Sequence, residues 1–199
     1  VYGDTNSTLG GSLAAAKLHI PVAHVEAGLR SFNKRMPEEV NRVLTDHIST
    51  YLFCPSVTSV KNLQHEGFNT ASQCDNSISC QKNADMDNPF IFQTGDVMFD
   101  LILHALEIAG QKSNILNHLN LQPKQYNLLT LHRAENTDDP DRLDAVINFV
   151  NGISPTIPVI FPIHPRMAKA YAGSKNKLSS NIRVVEPLGY FDLLMALKN

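Results

Sequence analysis

Cysteine is scarce. Among 199 residues there are three, Cys54, Cys74 and Cys80. An odd, sparse set without metal-ligand spacing excludes a disulfide scaffold and fits a reduced, cytoplasmic setting. Cys74 and Cys80 share one polar stretch, so a bridge between them is open to the chain but not required by it. Long apolar runs are also missing. None approaches the roughly 20 residues that cross a bilayer, and Val1 stands inside a strand pattern rather than a basic leader. No excess of positive charge appears either. The formal net charge is -2, without a basic tail, which argues against nucleic acid, whose phosphates require clustered Lys and Arg. Neither G-x-G-x-x-G nor G-x-x-x-x-G-K-[ST] occurs, so dinucleotide and P-loop chemistry lose their usual support. H-x-x-x-H, H-x-H and C-x-x-C spacings are absent too, and no metal or other cofactor is expected.

What is present is ordinary globular material, 43% hydrophobic and 18% charged, long enough for one large domain or two small ones. Short apolar segments alternate with longer amphipathic ones. Strands are predicted at 20–25, 51–54, 90–93, 127–131, 159–162 and 182–185, after a strand tail at Val1 and Tyr2. Helices are predicted at 7–19, 37–49, 57–66, 97–109, 142–150, 167–172 and 191–197. Pro37 suits a first helical position, and Glu38 and Glu39 suit the positive end of the dipole. Val40, Val43, Leu44 and Ile48 then share the face expected to meet the core. Gly67 ends the helix that begins at 57. Gly10 and Gly11 are expected to let the first helix approach its sheet closely. Residues 69–88, "NTASQCDNSISCQKNADMDN", break the rhythm as a polar surface excursion.

Such alternation predicts an α/β protein of two doubly wound, Rossmann-like parallel-sheet units, 1–95 and 96–199. In open parallel sheets, ligands bind beyond the carboxyl ends of the strands. Asp4 and Glu26 both stand just past such ends and can face one crevice. Either acid alone reads as a helix cap for Asp4 or an Arg30 partner for Glu26; both at equivalent positions read as a site. Glu38 is a third candidate if segment 28–36 folds over the crevice, whereas helix-dipole complementarity suffices for Glu39. In "LLTLHRAENTDD", His132 and Arg133 stand at another strand end, suited to a phosphate or a proton, with an Arg133–Glu135 surface pair as the plainer alternative. His164 ends the next strand in the same way. His19, His47, His65, His104 and His118 are expected to be incidental.

The segments "GDTNST", "HVEAGLRS", "PEEVNR", "TLHRAEN", "PIHPR" and "EPLGYFDLL" occur in an order and spacing that resembles the non-hydrolysing UDP-N-acetylglucosamine 2-epimerases. The resemblance covers nearly everything outside 69–88. It implies a glycosyltransferase-B-like fold and a UDP-sugar substrate, with no redox cofactor and, by family habit alone, a homodimer. It also implies inversion at C2 of UDP-N-acetylglucosamine (UDP-GlcNAc) for cell-surface polysaccharide precursors. UDP is eliminated to 2-acetamidoglucal and then added back. Asp4, Glu26 and Glu38 match the family's catalytic carboxylates and His132 its histidine near the diphosphate. Which carboxylate is base and which acid stays open. Arg30, Glu39, Arg133, His164 and Leu193 are implied as substrate or effector contacts.

Departures qualify the resemblance. Ala134 replaces the second arginine of a common "HRREN", which takes away support for the allosteric site associated with that motif. Leu193 stands where many members place an aromatic against uracil. "RSFNKRMPEEVNRVLTDH" resembles the branch acting on UDP-2,3-diacetamido-2,3-dideoxyglucuronate. The chain begins and ends inside the family's pattern, so it is expected to be a central portion, inactive or barely stable alone. A sugar-nucleotide-binding protein without catalysis, or a glycosyltransferase on the same scaffold, are the rival classes. The first would lose the acids, and the second would need an acceptor site.

Overall fold

The computed structural model describes residues 1–68, 85–131, 134–153 and 157–199. They form two compact units, Val1–Asp100 and Leu101–Asn199.

In the first unit, α1 (Asn6–Lys17) is followed by β1 (Ala23–Val25), α2 (Pro37–His47), β2 (Tyr51–Cys54), α3 (Val57–His65) and β3 (Phe90–Gln93). The strands form a parallel sheet in the order β1-β2-β3, with Ala23 opposite Tyr51 and Tyr51 opposite Phe90. Tyr2 bridges to Val25 in the same sense and so brings the segment before Asp4 to the sheet. β1 is shorter than expected because Pro21 has no N–H to give and Ile20 is exposed. Ala27, Leu52, Cys54, Val60, Leu63 and Ile91 make the core of this unit. Cys54 is a free thiol there, pushed up to about 12 by burial and then by the nearby Asp46 charge. Cys74 and Cys80 lie outside the described residues.

The side of α1 that is buried is Thr8, Ser12 and Ala16, small residues one turn apart. Gly10 and Gly11 do not supply the close approach expected of them: a Cβ would meet nothing within 4 Å at Gly10 and only Val1 at 4.0 Å at Gly11. α2 departs further from expectation. Val40 and Leu44 are exposed, while Glu39, Asn41, Thr45 and Asp46 are buried. This helix turns a polar face inward because the neighbouring strand end and loop present groups that need hydrogen-bond partners.

Helix α4 (Val97–Lys112) runs across the boundary between the units. In the second unit follow α5 (Ile115–His118), β4 (Asn127–Leu128), α6 (Ala134–Thr137), α7 (Pro140–Ile153), β5 (Val159–Pro162), α8 (Pro165–Ala172), β6 (Ile182–Val185) and α9 (Tyr190–Lys198). Its parallel sheet has the order β4-β5-β6. Phe161, Met167 and Ile147 anchor a core shared by β5, α7 and α8. The two one-turn helices, α5 and α6, were not expected from periodicity, which needs more than four residues to register.

One glycine is sterically required. Gly28 adopts φ +76, and a Cβ there would lie 2.3 Å from the Ser59 carbonyl oxygen at the start of α3. Gly28→Ala is expected to cost about 2–4 kcal/mol, from left-handed strain plus overpacking. A lowered urea midpoint at unchanged slope is the measurement that checks it.

Candidate active site

The site is built outward from the buried carboxylate of Asp46. Its Oδ1 accepts from His24 Nδ1 at 2.6 Å. Its Oδ2 accepts from the Gly28 amide at 3.0 Å and from Arg30 Nη1 at 2.7 Å. Arg30 then donates from Nε and Nη2 to the two oxygens of Glu66, at 2.6 and 2.7 Å. Its last contact is with the Leu29 carbonyl. The bond to Glu66 and the charge of Asp46 outweigh burial and raise the Arg30 pKa, while the Arg30 bond holds Glu66 below the usual carboxylate range. His47 joins Glu66 at 3.1 Å and leans on the Phe68 ring. The turn after β1 is thus held by side chains from α2 and from the end of α3.

Arg30 is drawn into this network. Its side chain is 1% exposed, and four of its five N–H groups donate within the protein. It is not the partner of Glu26. Glu39 is likewise turned inward: its oxygens accept from the Ser31 and Phe32 amides, at 2.8 and 2.9 Å, and from Arg42 at 2.8 Å. Burial would raise Glu39, but those amides and Arg42 hold it below the usual range. Both placements have one cause: a buried charge must find partners, and these two have them in the protein.

Asp4 and Glu26 are brought together. Asp4 does not cap α1; Thr5 does, accepting from the Thr8 amide. The Asp4 carboxylate accepts instead from Arg42 Nη2 at 2.6 Å, and its carbonyl from Asn41 Nδ2 at 2.9 Å. Glu26 follows the last residue of β1 at φ +77, a conformation that costs a non-glycine residue about 1–3 kcal/mol. Glu26 Oε2 comes within 3.5 Å of the place a Gly3 Cβ would occupy. Burial raises the Glu26 pKa, the charges of Asp4 and Asp96 raise it further, and Arg42 and His24 partly offset them. Two acids at adjacent strand ends thus differ. One is paired with a guanidinium, and the other has its charged form disfavoured by burial and by neighbouring acids.

The remaining candidates are scattered. Glu38 is exposed in the first turn of α2, one residue from Glu39. His132 and Arg133 lie outside the described residues. His164 is exposed after β5, where its carbonyl accepts from the Ala168 amide of α8. Leu193 is half-buried in α9. His24, Asn41, Arg42 and Asp46 escaped the sequence reading. Their signal was a polar set inside segments whose neighbours are apolar, since buried polar groups come with partners. Among the described residues no cluster of three or more His, Cys, Asp or Glu could hold a metal ion.

The two acidic environments predict opposite effects. Ionised Glu26 is disfavoured in the folded state, so Glu26→Gln is expected to raise the urea midpoint at neutral pH. That gain should vanish below about pH 4, where the carboxyl is protonated folded and unfolded. Glu39 contributes stability above the unfolded carboxylate range and loses it as pH falls through its lower folded value. Glu39→Gln should therefore cost about 2–4 kcal/mol at neutral pH and progressively less on acidification. Urea titrations across pH check both signs.

A family model described as UDP-N-acetylglucosamine 2-epimerase matches residues 1–199. A UDP-N-acetylglucosamine 2-epimerase of Methanocaldococcus jannaschii is 44% identical over 210 residues, covering 100% of this chain and 52% of that protein. A UDP-2,3-diacetamido-2,3-dideoxy-D-glucuronate 2-epimerase of Pseudomonas aeruginosa is 43% identical, covering 100% of this chain and 50% of that protein. The M. jannaschii UDP-GlcNAc 2-epimerase, solved with UDP-GlcNAc and UDP, superposes with a TM-score of 0.78 at 42% identity over 98% of this chain and 51% of that one. The Neisseria meningitidis enzyme bound to UDP-GlcNAc gives 0.73 at 27% identity, over 98% and 50%. The α/β, Rossmann-like and glycosyltransferase-B-like fold class is shared with these structures. The chain spans about half the length of the curated relatives it matches. Matched from end to end by one family model and by relatives above 40% identity, the chain belongs to the UDP-N-acetylglucosamine 2-epimerase family.

Proposed function

We propose that the protein carrying these residues interconverts UDP-GlcNAc and its C2 epimer, UDP-ManNAc, as an isomerase of polysaccharide-precursor synthesis in the cytoplasm. The observation that carries this reading is the unlike acid pair: Asp4 paired with Arg42, and Glu26 raised by burial beside it. Inversion at C2 needs a group that takes the C2 proton from one face and another that returns a proton on the opposite face. In the forward direction a carboxylate removes the C2 proton while the C1–oxygen bond breaks, and the electron pair forms the C1–C2 double bond of 2-acetamidoglucal as UDP leaves. Protonation at C2 from the other face, with re-formation of the C1–oxygen bond, gives the epimer. A carboxylate held by arginine suits proton removal, and a carboxyl whose pKa burial raises suits proton return. The roles exchange in the reverse direction. Glu38 is placed as support for this transfer. His132 is assigned to the leaving diphosphate. Arg133, His164 and Leu193 are assigned to the nucleotide. A homodimer is the assembly this reading carries.

The P. aeruginosa relative, at 43% identity, supports a second substrate, the diacetamido-glucuronate nucleotide. A protein of the relatives' full length carrying these residues is expected to incorporate deuterium at C2 from heavy water. Its preferred substrate is settled by comparing the two UDP-sugars. Glu26→Gln is expected to lower kcat about 100- to 10,000-fold. Turnover of neither sugar, or turnover without C2 exchange, overturns the reading.

A further inference from the structure

His24 is 0% exposed, lies in β1 two residues before Glu26, and makes two hydrogen bonds that need both of its ring nitrogens. Nε2 is 2.9 Å from the Gly3 carbonyl oxygen, which can only accept, so Nε2 carries a proton. Nδ1 is 2.6 Å from Asp46 Oδ1. Asp46 Oδ2 already accepts from an amide and a guanidinium, so Asp46 is the acceptor here and Nδ1 carries a proton as well. Gly3 is the residue between the strand bridge at Tyr2 and the candidate acid Asp4. It also adopts φ +71, with Glu26 Oε2 beside it. The backbone that aims Asp4 and the side chain of Glu26 therefore meet at Gly3, the residue whose carbonyl His24 grips.

We propose that His24 is a positioning residue for the Asp4–Glu26 pair: a buried imidazolium, held doubly protonated by Asp46, that pins the Gly3 carbonyl next to Asp4 and places one fixed positive charge near Glu26. The proposal rests on the epimerase reading only for its effect on rate. Its charge neighbours are Asp46 from α2 and Glu26 from the segment after β1, with Arg30 and Glu66 linked to it through Asp46. The Coulombic action of His24 on Glu26 has the sign this placement requires, lowering it. A neutral residue at position 24 would leave Gly3 less restrained and Glu26 without that cation.

The test uses the full-length protein, labelled with nitrogen-15 and carbon-13. Both His24 ring nitrogens are expected at protonated chemical shifts in the folded protein. In His24→Gln, the Glu26 carboxyl is expected to titrate at higher pH than in the unsubstituted protein. Its kcat should fall about tenfold or more, with KM within about twofold. A bare ring nitrogen in the unsubstituted protein overturns the proposal, and this reading stands even if His24→Gln does not fold. A folded His24→Gln protein whose Glu26 titration is unmoved also overturns it. Absence of turnover by the unsubstituted protein overturns the epimerase function instead, because the two resonance readings need no reaction.

Discussion

One buried carboxylate organises the first unit. Asp46 receives an imidazole, a guanidinium and a backbone amide, all from the seven residues His24 to Arg30. A lone charge at 0% exposure would be untenable. With three donors it becomes a fixed point to which β1, α2 and the intervening turn are tied. Replacing buried ion pairs by apolar packing is often neutral for stability, while removing one partner costs about 3–5 kcal/mol. Such a network does not mainly stabilise; it specifies one conformation. Here the conformation specified is the one in which Glu26 leaves the strand at a positive φ and stands beside Gly3 and Asp4.

The network also explains the spacing within "HVEAGLR". His24 and Arg30 reach Asp46 from the two ends of the segment. Ala27 is fully buried, and Gly28 fits against Ser59 where no side chain would. Asn62 closes the turn by donating to the Gly28 carbonyl at 2.9 Å. Among the ionisable side chains of the segment, Glu26 is the one that none of these restraints uses. In "PEEVNR", similarly, Glu39, Asn41 and Arg42 face inward and serve the loop and Asp4, leaving Glu38 exposed.

Fold class was legible because strands buried on both faces read as unbroken apolar runs. β2, β3 and β5 fall where those runs lie, whereas β6 carries Arg183 and exposes it together with Val184. The acids were legible because parallel sheets place ligands beyond their carboxyl ends. What periodicity could not show was the direction of α2. Its apolar stripe over Val40, Val43 and Leu44 exists, but hydrophobic spacing reports that a stripe is present, not which side of the helix the unit buries. His24 escaped for a related reason: a histidine within an apolar strand resembles a tolerated core residue until its partners, 22 residues away in Asp46 and 21 away in Gly3, are in place. The internal partners of Arg30 and Glu39 were not legible either, because charge in a sequence suggests solvent or substrate, whereas here the protein itself supplies partners.

Arg42 touches Asp4 with one terminal nitrogen and Glu39 with the other. A planar fork can hold two carboxylates along fixed directions, while an ammonium is a point charge on a flexible stem. Lysine here would keep the net charge and lose the bridge, serving either the strand-end acid or the carboxylate that tethers Ser31 and Phe32. Exchange of one cation for the other, innocuous on most surfaces, would at this position uncouple Asp4 from the loop that Glu39 tethers.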